Sequence, residues 1–337
     1  MIYKHSVLFI ICLISGILGA WIISNYGYRF GFLDSPNERS SHFSIIPKGG
    51  GVGILAAFTV SSLTLGIPLG YWLPATVLSM VSFYGDKYEI SPRLRLFIQF
   101  VAVMVFLLTA RFSGLLYSPF LQVKSGFLLF IYPMIFFFFM VGTANFYNFM
   151  DGINGIAGIT GIVGFSLIGY FAYRSGATSL MILSLGMVFS CLGFLPFNMP
   201  KAKVFMGDVG SILLGFVFAG MVVLLSKNIM DCICLIAFLF PFYADELTTM
   251  VVRIRDGSNL SIPHRKHIYQ LLANEMGVSH WKISFAYGIF QICIGISMLF
   301  VRDFGINALL VLLFLFCAVF TLSSYAIRYK VSIKNGS

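Results

Sequence analysis

Eleven apolar runs follow one another along this chain, at 6–24, 50–66, 69–84, 96–110, 126–142, 153–172, 178–196, 209–225, 232–250, 283–301 and 305–325. A bilayer core requires about 20 apolar residues of a crossing helix and excludes lipid-exposed irregular backbone. The fold class expected is therefore an all-α polytopic membrane protein with about 10–11 transmembrane helices. Composition agrees: 59% of the 337 residues are apolar and 10% charged, where a soluble domain carries about 25% charged residues. With a mean hydropathy of +0.93, a soluble enzyme with one anchor is excluded. Neither a repeat nor a low-complexity linker divides the chain, so 1–337 is read as one membrane domain. Met1–Ala20 has the basic start and apolar run of a signal peptide, but the polytopic continuation favours a retained first span. The six cysteines, Cys12, Cys191, Cys232, Cys234, Cys293 and Cys317, all lie in apolar runs without metal-type spacing and read as small buried hydrophobes.

Eleven crossings would alternate sides, so the loops after odd-numbered runs share a face. That face carries 16 of the 22 lysines and arginines, against six (Lys4, Arg111, Lys124, Arg174, Lys227, Arg302) on the other. Loops rich in Lys and Arg stay in the cytoplasm, which places the N-terminus in the periplasm. The net charge of +10 thus reports topology and anionic headgroups rather than nucleic acid. Ten of the twelve acids gather at the same face, Asp34, Asp86, Asp151, Asp208, Asp245 and Glu246 among them. Positive-inside counting ignores acids, so their clustering has another cause, and ionisable groups near a bilayer mark functional sites.

Four segments at that face could carry chemistry. Asp208 lies in Phe205-Met206-Gly207-Asp208-Val209-Gly210-Ser211, directly before an apolar helix, and its side chain is placed to cap that helix. Free N–H groups and the positive dipole end there suit a phosphate or a carboxylate-held metal; a plain cap with glycines for helix packing is the alternative. Asn145, Asn148, Asp151 and Asn154 recur every three residues and, on a helix, form one polar stripe. Such a stripe faces either a ligand or neighbouring helices. Between runs one and two, Asp34-Ser35-Pro36-Asn37-Glu38-Arg39-Ser40-Ser41-His42 precedes Pro47-Lys48-Gly49-Gly50-Gly51-Val52-Gly53. The glycine run lacks the ending of a P-loop and follows no strand. Arg39, His42 and Lys48 there either neutralise phosphates or are ordinary cytoplasmic charge. Finally, His264-Arg265-Lys266-His267-Ile268-Tyr269-Gln270 puts two histidines at i and i+3, on one face of an interfacial helix above Leu271.

Asn148-Phe149-Met150-Asp151-Gly152-Ile153-Asn154-Gly155, residues 205–211 and residues 264–270 together resemble the polyprenyl-phosphate N-acetylhexosamine-1-phosphate transferases, bacterial glycosyltransferase family 4. The resemblance spans about residues 30–275, and the histidine motif and Asp34–His42 look most like the branch that starts O-antigen synthesis. It implies transfer of a sugar-1-phosphate from a UDP-N-acetylamino sugar to undecaprenyl phosphate at the cytoplasmic face of a bacterial inner membrane, with release of UMP. It also implies magnesium, with manganese as a substitute, and a homodimer among membrane lipids. Carried over residue by residue, it makes Asp86, Asp151 and Asp208 catalytic and Asp208, Asn148 and Asp151 the metal set. Arg39, His42, Lys48, Asn145, Asn148, His264, Arg265 and His267 would bind substrates. Two positions depart from the family pattern: Gly85 replaces the first of its paired aspartates, with Asp86 keeping the second, and Asn154 replaces a frequent acid. The rival reading is a transporter or lipid-linked sugar flippase, which would favour ionisable groups near the bilayer midplane.

Overall fold

The structure, a computed structural model, describes residues 5–36, 41–42, 44–88, 90–112, 128–259 and 264–336. The expected apolar runs are all helical. In chain order the helices are α1 (Ser6–Phe30), α2 (Val52–Thr64), α3 (Leu69–Lys87), α4 (Pro92–Phe112), α5 (Leu128–Phe149), α6 (Ile156–Arg174) and α7 (Thr178–Asn198). They continue with α8 (Asp208–Leu225), α9 (Ile229–Ala237), α10 (Phe240–Arg255), α11 (Ile268–Gln270), α12 (His280–Val301) and α13 (Ile306–Gly336). Strands β1 (Leu33–Asp34) and β2 (Ile46–Pro47), which periodicity did not announce, pair antiparallel between α1 and α2.

Seven helices among the described residues are long and apolar enough to cross a bilayer, eight when α9 and α10 are taken as one span bent by 81°. By length and composition α2, with only 13 residues, and α3 and α5 fall outside the seven, and the described residues show the all-α polytopic class expected. The run at 232–250 is two helices, because Phe238 and Leu239 interrupt it and Pro241 opens α10, where a missing N–H is harmless.

The apolar content of α8 sets its place. With no polar face, it has nothing to offer water or headgroups, and every residue from Val209 to Leu225 is buried. Helices α3, α5, α2 and α6 pack around it. Small residues bring α1 against α7: a Cβ on Gly16 would lie 2.1 Å from the Ser190 carbonyl, and one on Gly193 2.2 Å from that of Leu13. Close backbone approach of this kind gives dispersion contact where lipid supplies no hydrophobic drive. By contrast α13 is the most lipid-facing of the candidate spans. Cys12, Cys191, Cys232 and Cys234 are buried as expected, but Cys293 on α12 and Cys317 on α13 face outward. Because the helices alternate in direction, the loops after α1, α3, α5, α7 and α10 share one end of the bundle, tied by the contacts described next.

Candidate active site

The N-terminus of α8 is the centre of that end. Its cap position is Gly207, at φ +74°, so Asp208 is the first helical residue and not the cap expected of it. The capping oxygens come from α3: Asp86 Oδ1 accepts the Asp208 N–H at 3.0 Å and Oδ2 the Val209 N–H at 3.2 Å. A Cβ on Gly207 would lie 2.6 Å from Asp86 Oδ2. Glycine there satisfies both the left-handed backbone and the tight approach. One turn along, the Ser211 hydroxyl contacts Asn148 Oδ1 at 2.6 Å and the Gly207 carbonyl at 3.1 Å. The glycine run lies alongside: the N–H groups of Gly49 and Gly50 donate to the Phe205 carbonyl (3.2 and 2.9 Å) and that of Gly51 to Met206 (2.9 Å). Those donors are occupied by protein, so the run is no phosphate cradle. Its glycines serve proximity, since a Cβ on Gly51 would stand 2.5 Å from Gly210 Cα.

Asp208 Oδ2 is ion-paired with Arg95 of α4. In the sequence Arg95 reads only as topological charge; nothing local announces a partner 113 residues away. Position 85 belongs to the same arrangement, because a Cβ on Gly85 would lie 3.7 Å from Arg95 Nη2. An acid there, as in the resembled family, would compete with Asp208 for this guanidinium.

Asp151 completes the group. Helix α5 ends at Phe149, so only Asn145 and Asn148 of the expected stripe are helical; Asp151 and Asn154 lie in the following turn. Burial, and next the negative charge of Asp208, push the Asp151 carboxyl up to about 7. Its carboxylate has no hydrogen-bond donor among the described residues. Asn145 faces elsewhere: its Nδ2 donates to Gln99 Oε1 at 2.7 Å and Gln99 Nε2 returns to Asn145 Oδ1 at 3.3 Å. This reciprocal amide pair joins α4 to α5, the structural alternative for that residue. Asn154 Nδ2 donates to the Pro200 carbonyl at 3.2 Å.

The histidine segment is fastened by a second buried carboxylate. Asp245 of α10 accepts the N–H groups of Ile268 (2.8 Å) and Tyr269 (3.3 Å) and the Tyr287 hydroxyl (2.6 Å). It holds the start of α11 as Asp86 holds α8. His264 and His267 do not share a helix face, since His264 precedes the helix and His267 is its N-cap. Their rings nonetheless lie 4.8 Å apart. Buried His267 has Nδ1 3.7 Å from Asp245 and Nε2 3.5 Å from Glu246. His264 is half-buried; burial, then the neighbouring His267, hold its imidazole down to about 4. Arg265 is exposed, 3.7 Å from Glu275. Tyr269 joins this segment to the Asp151 turn: its hydroxyl donates to the Phe149 carbonyl at 3.0 Å, and a Cβ on Gly152 would lie 2.2 Å from that oxygen.

The first loop lies over the α7–α8 connection. Lys48 bridges to Phe205 in parallel register, and its charge reaches Asp86. The His42 ring lies edge-on to Phe205 at 4.8 Å, with Nε2 3.6 Å from Asp34. Arg39 lies outside the described residues. Asp86, Asp208, Asn148, Asp151 and Lys48 therefore form one neighbourhood, reached through Tyr269 by the histidine segment; Asn145 is turned to α4.

No cluster of three His, Cys, Asp or Glu side chains able to hold a metal occurs among the described residues. Two carboxylates and the amide oxygen of Asn148 are what the site offers. This all-oxygen, sparse set fits magnesium, which keeps waters and takes its other ligands from substrate phosphates, and does not fit zinc. The carboxylate of Asp151, facing a second anion without a donor, is where such a cation would relieve repulsion.

Residues 68–226 match glycosyl transferase family 4. An undecaprenyl-phosphate alpha-N-acetylglucosaminyl 1-phosphate transferase of Thermotoga maritima is 28% identical over 303 residues, covering 88% of this chain and 93% of its own length. A protein of that name from Salmonella typhi is 27% identical, covering 72% and 70%. A phospho-N-acetylmuramoyl-pentapeptide-transferase of Staphylococcus saprophyticus is 33% identical over 205 residues, covering 59% and 62%.

Proposed function

Because the chain belongs to glycosyl transferase family 4, we propose that it transfers an N-acetylhexosamine 1-phosphate from a UDP-N-acetylamino sugar to undecaprenyl phosphate, releasing UMP. The observation that carries this reading is the meeting of Asp151, Asp208 and Asn148 beside Arg95, at the end of the bundle where the Lys- and Arg-rich loops gather. A lipid phosphate lies at headgroup level, so a site at mid-depth would not serve it.

In the reaction an oxygen of the lipid phosphate forms a bond to the phosphorus bearing the sugar, and the bond from that phosphorus to the oxygen of UMP breaks. Two anions meet, so positioning and charge neutralisation supply most of the acceleration. Magnesium, held by Asp208, Asp151 and Asn148, would supply that neutralisation when bound. Arg95, ion-paired with Asp208, fixes that carboxylate in direction. Asp86, with both oxygens on the backbone of α8, orients the helix that carries Asp208. A general base is not required, since a phosphate monoester has a second pKa of about 6 and is largely dianionic at pH 7. His264, with Arg265 and His42, would receive the donor's diphosphate from the loop side, while Lys48 lies beside Asp86.

The acceptor's tail has a surface to follow. An apolar groove of about 500 Å³ runs between α5, α9, α10 and α13, lined by Phe138, Phe146, Ile233, Phe240 and Tyr243 among others. Its upper end at Phe146 is two residues from Asn148. Products of such an enzyme are the starting lipids of surface polysaccharides, O-antigen among them, and the Lys- and Arg-rich loops at this end support a site on the cytoplasmic side of a bacterial inner membrane. Purified protein incubated with undecaprenyl phosphate, magnesium and a panel of UDP-amino sugars is expected to release UMP with at least one donor. Asp208→Asn is expected to abolish release while the protein stays monodisperse. Full turnover by that variant would overturn the metal role, and no UMP with any donor would overturn the reaction.

A further inference from the structure

The last helix carries a cation that the transfer reaction leaves without a task. Helix α13 lies beyond residues 68–226, where the family matches, and Leu322, Tyr325 and Tyr329 are exposed on its outer side. Ser324 and Val331 are buried, and Arg328 is half-buried between them. These three stand at i, i+4 and i+7, so one stripe of the helix is turned inward. A basic side chain that serves only membrane topology extends toward headgroups and water. Arg328 does the reverse.

Two hydroxyls hold its guanidinium. Nε donates to Ser324 Oγ at 3.3 Å and Nη2 to Thr249 Oγ1 at 2.9 Å. Thr249 is buried and donates its own hydroxyl to Asp245 Oδ1 at 3.2 Å. A hydroxyl that accepts from a guanidinium while donating to a carboxylate is polarised in one direction, and each link of such a chain strengthens the next. Asp245 is wholly buried and carries the Ile268 and Tyr269 N–H groups and the Tyr287 hydroxyl. A carboxylate at that depth is costly without positive charge nearby. Arg328 brings one across a single hydroxyl; its charge interacts with Asp245 and also reaches His264. Farther along α13, Lys334 Nζ donates to the Glu275 carbonyl at 2.6 Å, at the end of the turn that follows α11. The last helix thus grips the histidine segment at its start and at its close.

We propose that Arg328 is a positioning residue for the sugar-nucleotide donor: through Thr249 it fixes the Asp245 carboxylate, and with it the backbone that places His264 and His267. This rests on the reading that the histidine segment receives the donor's diphosphate. Without Arg328 the segment samples other placements, and only the fraction that is correctly placed binds donor. Asp151, Asp208 and Asn148 stand on other elements, so the chemical step is disturbed less than donor binding.

The test uses full-length protein in a nonionic detergent, with hydrogen-exchange mass spectrometry over residues 264–275 and donor and acceptor kinetics followed by UMP release. Arg328→Leu puts an apolar residue on a lipid-facing helix and is expected to keep the wild-type gel-filtration profile. Loss of one hydrogen bond from a charged group predicts about tenfold faster exchange at Ile268 and Tyr269 and about a tenfold higher donor KM, with a smaller fall in kcat and an unchanged acceptor KM. Arg328→Lys, which keeps the charge and a donor, should recover most of both. Thr249→Val should reproduce the leucine variant, and combining the two should add little. Lys330→Leu removes an exposed cation from the same helix and should change neither quantity; an equal rise in donor KM there would reduce Arg328 to surface charge. Wild-type exchange in Arg328→Leu would overturn the link to Asp245, and that measurement stands even if the wild type releases no UMP with any donor. Faster exchange with an unchanged donor KM would overturn the donor role while leaving the transfer reaction in place.

Discussion

Asp86 commits its whole carboxylate to the helix that carries Asp208, with one oxygen on the Asp208 N–H and the other on the Val209 N–H. A carboxylate against first-turn N–H groups also meets the positive end of the helix dipole. Asp86→Ala leaves two donors unpaired in a buried setting and is expected to destabilise by about 2 to 3 kcal/mol, with transfer falling alongside. Asp86→Asn, which keeps one acceptor, is expected to recover part of both. Thermal unfolding in detergent decides: a residue serving only as a proton acceptor would lose activity at an unchanged melting temperature.

Arg95 gives the opposite pattern. Its pair with Asp208 is a quarter to a third exposed, and such pairs add less than about 1 kcal/mol to stability. Arg95→Leu is therefore expected to melt near the wild-type temperature yet lose about a hundredfold in turnover, the scale of one electrostatic contact to developing charge. Arg95→Lys should fall between them. An active leucine variant would remove Arg95 from the site.

The pH dependence follows from Asp151. Its carboxyl is raised to about 7 by burial and then by Asp208, so below that pH it holds a proton and is a poor cation ligand. Magnesium affinity is expected to rise from pH 6 to pH 8, falling about tenfold per unit well below 7. In Asp208→Asn the repulsion is gone and the midpoint should move down. Magnesium-induced shifts in melting temperature at pH 6, 7 and 8 measure this, and equal shifts at all three would refute it.

Tyr269 and Gly152 form a testable couple. Tyr269→Phe removes the bond to the Phe149 carbonyl and is expected to lower stability by about 1 kcal/mol and to raise the donor KM more than it lowers kcat. Gly152→Ala drives a methyl into the hydroxyl, which lies 2.2 Å from that position. It should damage the protein more in the wild type than in the Tyr269→Phe background. Additive losses in the double variant would show that the two positions do not meet.

The apolar runs, the charge asymmetry and three polar motifs are properties of neighbouring residues, and the sequence by itself determined them: an all-α membrane fold, its helix positions within a few residues, and the gathering of acids, Asp86, Asp151 and Asp208 among them, at one face. Tertiary structure decided whatever depends on which helix ends meet. It made Asp86 the cap of α8 in place of Asp208, turned Asn145 toward Gln99, made Arg95 the partner of Asp208, and gave Asp245 the task of holding Ile268 and Tyr269. It also bent the run at 232–250 and broke the Asn145–Asn154 stripe at Phe149. The physical reason is one of range. Transfer free energy and helix periodicity act over a few turns, whereas a buried carboxylate must find its donors wherever packing delivers them, here 122 residues from Asp86 and 23 from Asp245.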